Sequence, residues 1–221
     1  MKVLAIDTAT ERCSVALRID GQVTMREIET PRGHADLILP MIQEVLSDAG
    51  ISLRQLDGLA YGRGPGAFTG VRIAIGVVQG LAFGADLPTV GVSNLAAVAQ
   101  QVAEPMARIL VCMDARMQEV YWCTFTRESD SEYVSAVGLE RVAAPDTVKP
   151  EWLPTVVAGT GFGAYPLLRE RFADIPSHPE LLPRAREIAL LGEWELSHGR
   201  GQPAAEAQPV YLRDNVAVAK R

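Results

Sequence analysis

The chain opens as short apolar runs broken by polar turns. "KVLAID" reads as a buried strand, "CSVALRID" as a second, and "GQVTMREIE" as a third after Asp20-Gly21. An Asp-Gly pair between strand-like runs signals a hairpin, so three antiparallel strands are predicted. The pattern then switches period. Across "HADLILPMIQEVLSDAG", Leu37, Met41 and Val45 fall on one helical stripe and Ile38, Ile42 and Leu46 on the next. Together the stripes are wider than one core contact requires. Gly50 suits the C′ position, and Pro40, about a turn inside, predicts a distorted first turn.

"LDGLAYG" is the next predicted strand, and "GRGPGAFTGVRIAIGVVQGLAFG" follows it. The first six residues form a glycine-rich loop. From Phe68 to Gly84 the run is a helix about 25 Å long, with only Thr69, Arg72 and Gln79 as polar side chains. Gly76, Gly80 and Gly84 make one ridge, with Val71, Ile75, Val78 and Ala82 along its sides. A helix apolar nearly all round needs cover on every side. One sheet covers one face and the helix at 35–49 covers part of another. The remainder requires either more of this chain or a second one.

"PTVGV" predicts a short strand and "SNLAAVAQQVA" a helix capped by Ser93 or Asn94. Glu104-Pro105 breaks the pattern, placing a boundary between a first lobe, 1–104, and a second, 105–221. The second half opens as the first does. "VLAIDTATERCSVAL" and "ILVCMDARMQEVYWC" are each an apolar strand ending in Asp, a polar turn and another apolar strand. Asp7 and Asp114 stand 107 residues apart, close to half the chain, which suggests two lobes of like topology. A strand at "YVSAVGLERV", the strand "TVVAG", the turn "TGFG", a helix from Tyr165 to Phe172 and a last helix near 184–198 complete the reading. That final helix is a candidate to pack back on the first lobe.

Composition narrows the function. A net charge of −6 and a pI near 5.2, without clustered Lys or Arg, argue against tight nucleic-acid binding by this chain alone. Cys13, Cys112 and Cys123 lack metal-ligand spacing and read as buried reduced thiols. The first apolar run ends at Asp7, too short for a signal peptide, and the run from Phe68 is cut by Arg72. A cytoplasmic protein without a membrane span is expected.

Few residues suggest chemistry. "GRGPGA" fits G-x-G-x-x-G/A after a strand and before a helix. However, Pro65 removes one N–H from the cradle, and no Lys-Ser or Lys-Thr closes a Walker loop. A tight turn with close helix–strand approach fits the same glycines. Asp7 ends the first strand, where sheet-based phosphotransferases hold a metal, but Ala9 stands where a phosphate loop wants glycine. A turn-capping Asp is the alternative. Asp114 and Arg116 could bind an anion or a partner, or be a solvated turn. His34, His178 and His198 are isolated, and no Gly-x-Ser-x-Gly elbow occurs.

Taken together, "VLAIDTATERCSVAL", "AYGRGPGAFTGVRIAIGVVQGLA", "PTVGVSNL", "MDARMQEVYW", "GTG" and "PVYLR" resemble, in order and spacing and over essentially the whole chain, the TsaB (YeaZ) family. The resemblance implies an α/β fold of the two-lobed actin/Hsp70/sugar-kinase (ASKHA) kind with duplicated mixed-sheet lobes. It implies a non-catalytic scaffold needed for threonylcarbamoyl transfer to adenosine 37 of tRNAs reading ANN codons. Its expected partners are a TsaD-like catalytic subunit and a TsaE-like P-loop ATPase. It would form a homodimer when alone and meet tRNA only through the complex. The catalytic relative holds a metal with two histidines; the matching positions here are Asn94 and Val98, and valine cannot ligate a metal. The helices 35–49 and 68–84 are the implied partner interface, with Leu37, Met41, Val45, Val71, Ile75, Gly76, Val78, Gln79 and Ala82 as contacts. No catalytic residue, metal or cofactor of its own is expected. ATP or ADP is expected only at the complex junction, with Arg116 a candidate contact. The alternatives are a self-sufficient ATP-dependent phosphotransferase of the same fold and a metal peptidase-like protein.

Overall fold

A computed structural model describes residues 1–213 of the 221-residue chain. The last eight residues of the expected second lobe lie outside the described residues. In chain order the elements begin with β1 (Lys2–Asp7), β2 (Arg12–Ile19), β3 (Gln22–Glu29), α1 (His34–Asp48), β4 (Gly58–Gly62) and α2 (Phe68–Ala85). There follow β5 (Thr89–Val92), α3 (Asn94–Gln101), β6 (Arg108–Asp114), β7 (Val120–Thr126) and β8 (Ser135–Ala143). The last are β9 (Val156–Ala158), α4 (Gly161–Ala164), α5 (Pro166–Arg171), β10 (Ser177–His178) and α6 (Ala185–Ser197).

The chain divides into two units: Met1–Gln101 with Leu182–Pro209, and Val102–Leu181 with the described residues from Val210. The first unit holds a five-stranded sheet in the order β3-β2-β1-β4-β5. β1 runs antiparallel to β2 and parallel to β4. The β2–β3 turn uses Asp20 and Gly21 at φ 46° and 88°, the left-handed pair that matches strand twist in a two-residue hairpin. The second sheet is ordered β10-β9-β6-β7-β8, with β6 antiparallel to β7 and parallel to β9. Read from the other edge it repeats the first strand for strand. This is the duplicated mixed sheet of the ASKHA class, and Asp7 and Asp114 close equivalent strands.

Helix ends follow local chemistry. Gly50 takes φ 63° beyond α1, its N–H donating to Ser47 O while Ile51 N donates to Leu46 O. This is a Schellman closure that only a residue at ease with positive φ makes without strain. α1 continues through Pro40 as a single helix. Ser93 Oγ accepts from Ala96 N at 3.1 Å at the start of α3. In the second unit "TGFG" is not a plain turn. Thr160 begins a helical turn, α4, that leads through Tyr165 into α5.

The first core packs Leu4, Ile6, Val15 and Leu17 of the sheet against Ile38, Met41, Ile42 and Val45 of α1 and Val71, Ala74, Ile75, Val78 and Ala82 of α2. Each buried Val, Leu, Ile or Met side chain among them contributes about 1.5–3 kcal/mol. α6 lies against β1, β2 and β4 within the same unit. Gly192 there leaves room that a Cβ would lose, since it would come 2.5 Å from Ala60 Cβ. The second core gathers Leu110, Cys112, Val120, Trp122, Phe162 and Phe172. The three cysteines are buried and free.

Candidate functional site

The glycine loop between β4 and α2 is packed against the β1–β2 turn of its own chain. A Cβ on Gly66 would sit 2.6 Å from Ala9 O, and one on Gly70 would sit 2.0 Å from Thr8 O. Those glycines therefore serve close approach of backbone to backbone. Three loop N–H groups are already donated: Arg63 N to Val92 O, Ala67 N to Ala9 O, and Gly64 N to Asn94 Oδ1 at 2.8 Å. Of the two readings of the loop, the tight turn is the one with partners in place.

Asn94 is the hinge of this arrangement. Fully buried, it donates from Nδ2 to Asp7 Oδ1 at 2.7 Å while its Oδ1 takes the Gly64 N–H. Asp7 is also fully buried, and its Oδ2 meets no hydrogen-bond partner among the described residues. Burial pushes its carboxyl up to about 7, against the smaller opposing pull of the Asn94 and Ala9 hydrogen bonds. Gly62 is obligatory beside it, because a Cβ there would lie 2.1 Å from Asp7 Oδ1. Val98, the other position matched to a metal ligand, is fully buried. Among the described residues no group of three His, Cys, Asp or Glu side chains is placed to hold a metal. His34 instead bonds Thr10 O, and His198 bonds Trp194 O.

α2 has two unlike faces. Val71, Ile75, Val78 and Ala82, together with Met41 and Val45 of α1, belong to the first core, Val78 and Val45 being entirely inaccessible. These six were expected as partner contacts; their side chains are buried in the chain's own first core. Gln79 is half-buried and donates from Nε2 to Ala207 O at 2.9 Å, so one flank of α2 is covered by residues 204–207, with Ala207 buried there. Leu37 is half-buried, and Gly76 faces outward. The outward strip runs through Phe68, 59% exposed, then Thr69, Arg72, Gly76, Gly80 and Gly84, with Phe83, 87% exposed, near its far end. The Arg72 guanidinium lies 3.3 Å above the Phe68 ring. A Cβ added to Gly76, Gly80 or Gly84 would meet nothing within 4 Å. Leu39 is exposed on α1. Phe68, Phe83 and Leu39 were missed by the sequence reading. For the two phenylalanines the ridge of glycines was the available signal, since it marks the side of α2 that carries no core side chains.

Arg116 lies far from this strip in sequence, in the turn that closes β6–β7. Arg116, Met117 and Gln118 hold φ near 60° in succession, a costly run for residues with a Cβ. It is held by Asp114, whose Oδ1 accepts from Arg116 N and Tyr165 OH, both at 2.8 Å. Arg213 pins the other side, bonding Ala115 O and Glu119 Oε2. The Arg116 side chain is 84% exposed and reaches Asp114 Oδ2 at 3.1 Å.

A family model described as "TsaD: tRNA N6-adenosine threonylcarbamoyltransferase" matches residues 27–144, a span that includes α1, the glycine loop, α2 and α3. The tRNA threonylcarbamoyladenosine biosynthesis protein TsaB of Escherichia coli is 43% identical over 98% of this chain and 96% of its own. The chain belongs to the TsaB family. TsaB of Haemophilus influenzae is 38% identical over 98% of this chain and 95% of its own. Among solved structures, YeaZ from Pseudomonas aeruginosa superposes with a TM-score of 0.84 at 40% identity, covering 96% of this chain and 99% of that one. A Pseudomonas aeruginosa protein described by its similarity to peptidase YEAZ superposes at 0.88 with 42% identity over the same shares. The TsaB assignment and the two-sheet fold therefore agree over nearly the full length.

Proposed function

We propose that this chain is a non-catalytic accessory subunit in the biosynthesis of threonylcarbamoyladenosine on tRNA. The observation that carries the proposal is 43% identity to Escherichia coli TsaB along 98% of the chain. Asn94 and Val98 support the absence of a metal-bound active centre. One is engaged with Asp7 and Gly64, and the other is an enclosed hydrocarbon.

The subunit acts by pairing with a TsaD-like catalytic subunit through the outward faces of α1 and α2. A TsaE-like ATPase joins the pair, and ATP or ADP enters at their junction with Arg116 as a contact. Glycine in a helix interior costs about 0.5–1 kcal/mol relative to alanine. Nothing in the unit itself needs the space at Gly76, Gly80 and Gly84. Small residues on a helix surface let a second helix axis approach to about 8–10 Å. Phe68 and Phe83, exposed near the two ends of the strip, are the large apolar anchors of such a contact. Without its partner the same surface closes on a second copy with two-fold symmetry. The net charge of −6 leaves tRNA to be held by other members of the complex.

The test is reconstitution of tRNA modification from purified TsaD-like and TsaE-like subunits, ATP, unmodified tRNA and an activated threonylcarbamoyl donor, with and without this chain. Modified nucleoside is expected only when it is present. Equal modification in its absence, or modification by this chain alone, would overturn the proposal.

A further inference from the structure

One flank of α2 is walled by a segment from the far end of the chain, residues 202–209, with a 3-10 turn at Ala204–Glu206. Both ends and the middle are anchored. Gln202 exchanges two backbone hydrogen bonds with Thr89 of β5, both at 2.8 Å. The Tyr61 hydroxyl accepts from Gln202 Nε2 and from Gln208 N, each at 3.1 Å, and so gathers the two ends. Gln79 of α2 donates to Ala207 O at 2.9 Å. Ala207 is buried in the core that α2 shares, whereas Ala205, Glu206 and Gln208 are exposed.

Gln79 sets this wall beside the glycine strip. Residues three and four apart on a helix are neighbours, about 5–6 Å from each other. Gly76 and Phe83 stand in that relation to Gln79, and Gly80 follows it directly. A helix with its side chains is about 10–12 Å across. One that settles on bare glycine at an axis separation of about 8–10 Å is wide enough to reach the exposed side of the segment.

The strip also fits itself. Arg72 and Gly80 are equally spaced about Gly76, as are Phe68 and Gly84. An antiparallel two-fold pairing centred on Gly76 sets the bulky half of one strip on the bare half of the other. Arg72 of one copy then lies over Gly80 of the second, next to Gln79 and the segment that Gln79 holds. Arg72 is the single charged residue of α2, and Glu206 is the single charged residue within 202–209. The Arg72 guanidinium, stacked on Phe68, has five N–H donors, enough to take a carboxylate as well.

We infer that the segment 202–209 is part of the surface on which two copies of this chain pair, with Glu206 of each copy bonding Arg72 of the other. This contact depends on the outer strip of α2 being the pairing surface. It lies outside both helices and occurs twice in a two-fold dimer.

The experiment is sedimentation equilibrium of the full chain as wild type, Glu206→Arg, Arg72→Glu, the double reversal of the two, and Gly80→Arg. Wild type is expected to be dimeric and Gly80→Arg, which obstructs the strip alone, monomeric. Each single reversal sets two like-charge pairs in the interface and should weaken pairing at least about tenfold, with an unchanged circular dichroism spectrum. The double reversal should recover most of that loss. If the variants with Arg72→Glu fail to fold, Glu206→Arg decides, together with amide exchange across 203–208, which should be slower in wild type than in Gly80→Arg. Undiminished pairing by Glu206→Arg, no recovery in a folded double reversal, or equal amide exchange would each overturn the inference while leaving the strip in place. A monomeric wild type, or a Gly80→Arg protein that pairs as wild type does, would overturn self-pairing through the strip and the Glu206 contact with it.

Discussion

The two sheets have the same strand order and the same mixture of parallel and antiparallel pairs, but the chain between equivalent strands differs sharply. In the first unit β3 reaches β4 through the 15-residue α1, and β4 reaches β5 through the 18-residue α2. In the second, the β8–β9 connection holds one short 3-10 turn at Pro145–Thr147. β9 reaches β10 through α4 and α5, of four and six residues. Because the sheets are alike, the extra helix in the first unit is not something the sheet demands. The inner half of α2 does what any packed helix does, and its outer half displays glycine and phenylalanine to solvent. The comparison teaches where to look for function: in the elements one repeat has and the other lacks.

The same contrast separates glycines and side chains of α2 into those the fold needs and those it does not. Val78→Asp puts a carboxylate into the first core with no partner, and an unfolding of more than about 4 kcal/mol is expected by urea denaturation. A folded, cooperative Val78→Asp protein would show that the inner face is not core. Gly70→Ala should cost on the order of 2–3 kcal/mol, because the new Cβ collides with Thr8 O at 2.0 Å. Gly76→Ala should instead stabilise the isolated chain by about 0.5–1 kcal/mol. A matching loss at both glycines would erase the distinction between the faces.

Asp7 and Asp114 end equivalent strands and sharpen the comparison through pH. Asp114 is spanned by Thr160, Tyr165 and Arg116 at the edge of its turn, whereas Asp7 is sealed in with one oxygen unpartnered. With the Asp7 carboxyl raised to about 7 from an ordinary value of 3.8, the folded state holds its proton more tightly than the unfolded one. Its contribution to stability is therefore largest below about pH 4. It falls as pH rises toward 7 and is lost above that. Asp7→Asn should remove this fall. Relative to wild type, the variant should gain on the order of 1–3 kcal/mol in unfolding free energy between pH 5 and pH 8. A stability difference that is flat across that range would contradict the buried, raised carboxyl.

Much of this was legible along the chain. The Asp20-Gly21 hairpin, both strand–Asp–turn–strand units and the extents of α1 and α2 are local patterns, and local patterns survive folding. The direction in which α2 faces was not local. Val71, Ile75, Val78 and Ala82 are as apolar as any interface residue, and only the position of β4, β1 and α1 turns them inward. The cover that residues 204–207 provide over Gln79 comes from 128 positions away, which no window of sequence reveals. α6, which the sequence reading offers as a candidate to pack back on the first lobe, lies across β1, β2 and β4 of the first unit. The "TGFG" segment was misread because glycine suggests a turn, whereas here Gly159 and Gly161 let the start of α4 press onto Cys112 O.

The central claim is that the outer strip of α2, not its inner one, is the surface a second chain completes. The most direct measurement is sedimentation of the full chain carrying Gly80→Arg and Phe83→Glu, alone and mixed with the TsaD-like subunit. Wild type is expected to pair in both settings. The double variant should stay folded, with an unchanged circular dichroism spectrum, while pairing weakens by at least about a hundredfold. A double variant that is folded and still pairs as wild type does would contradict the claim.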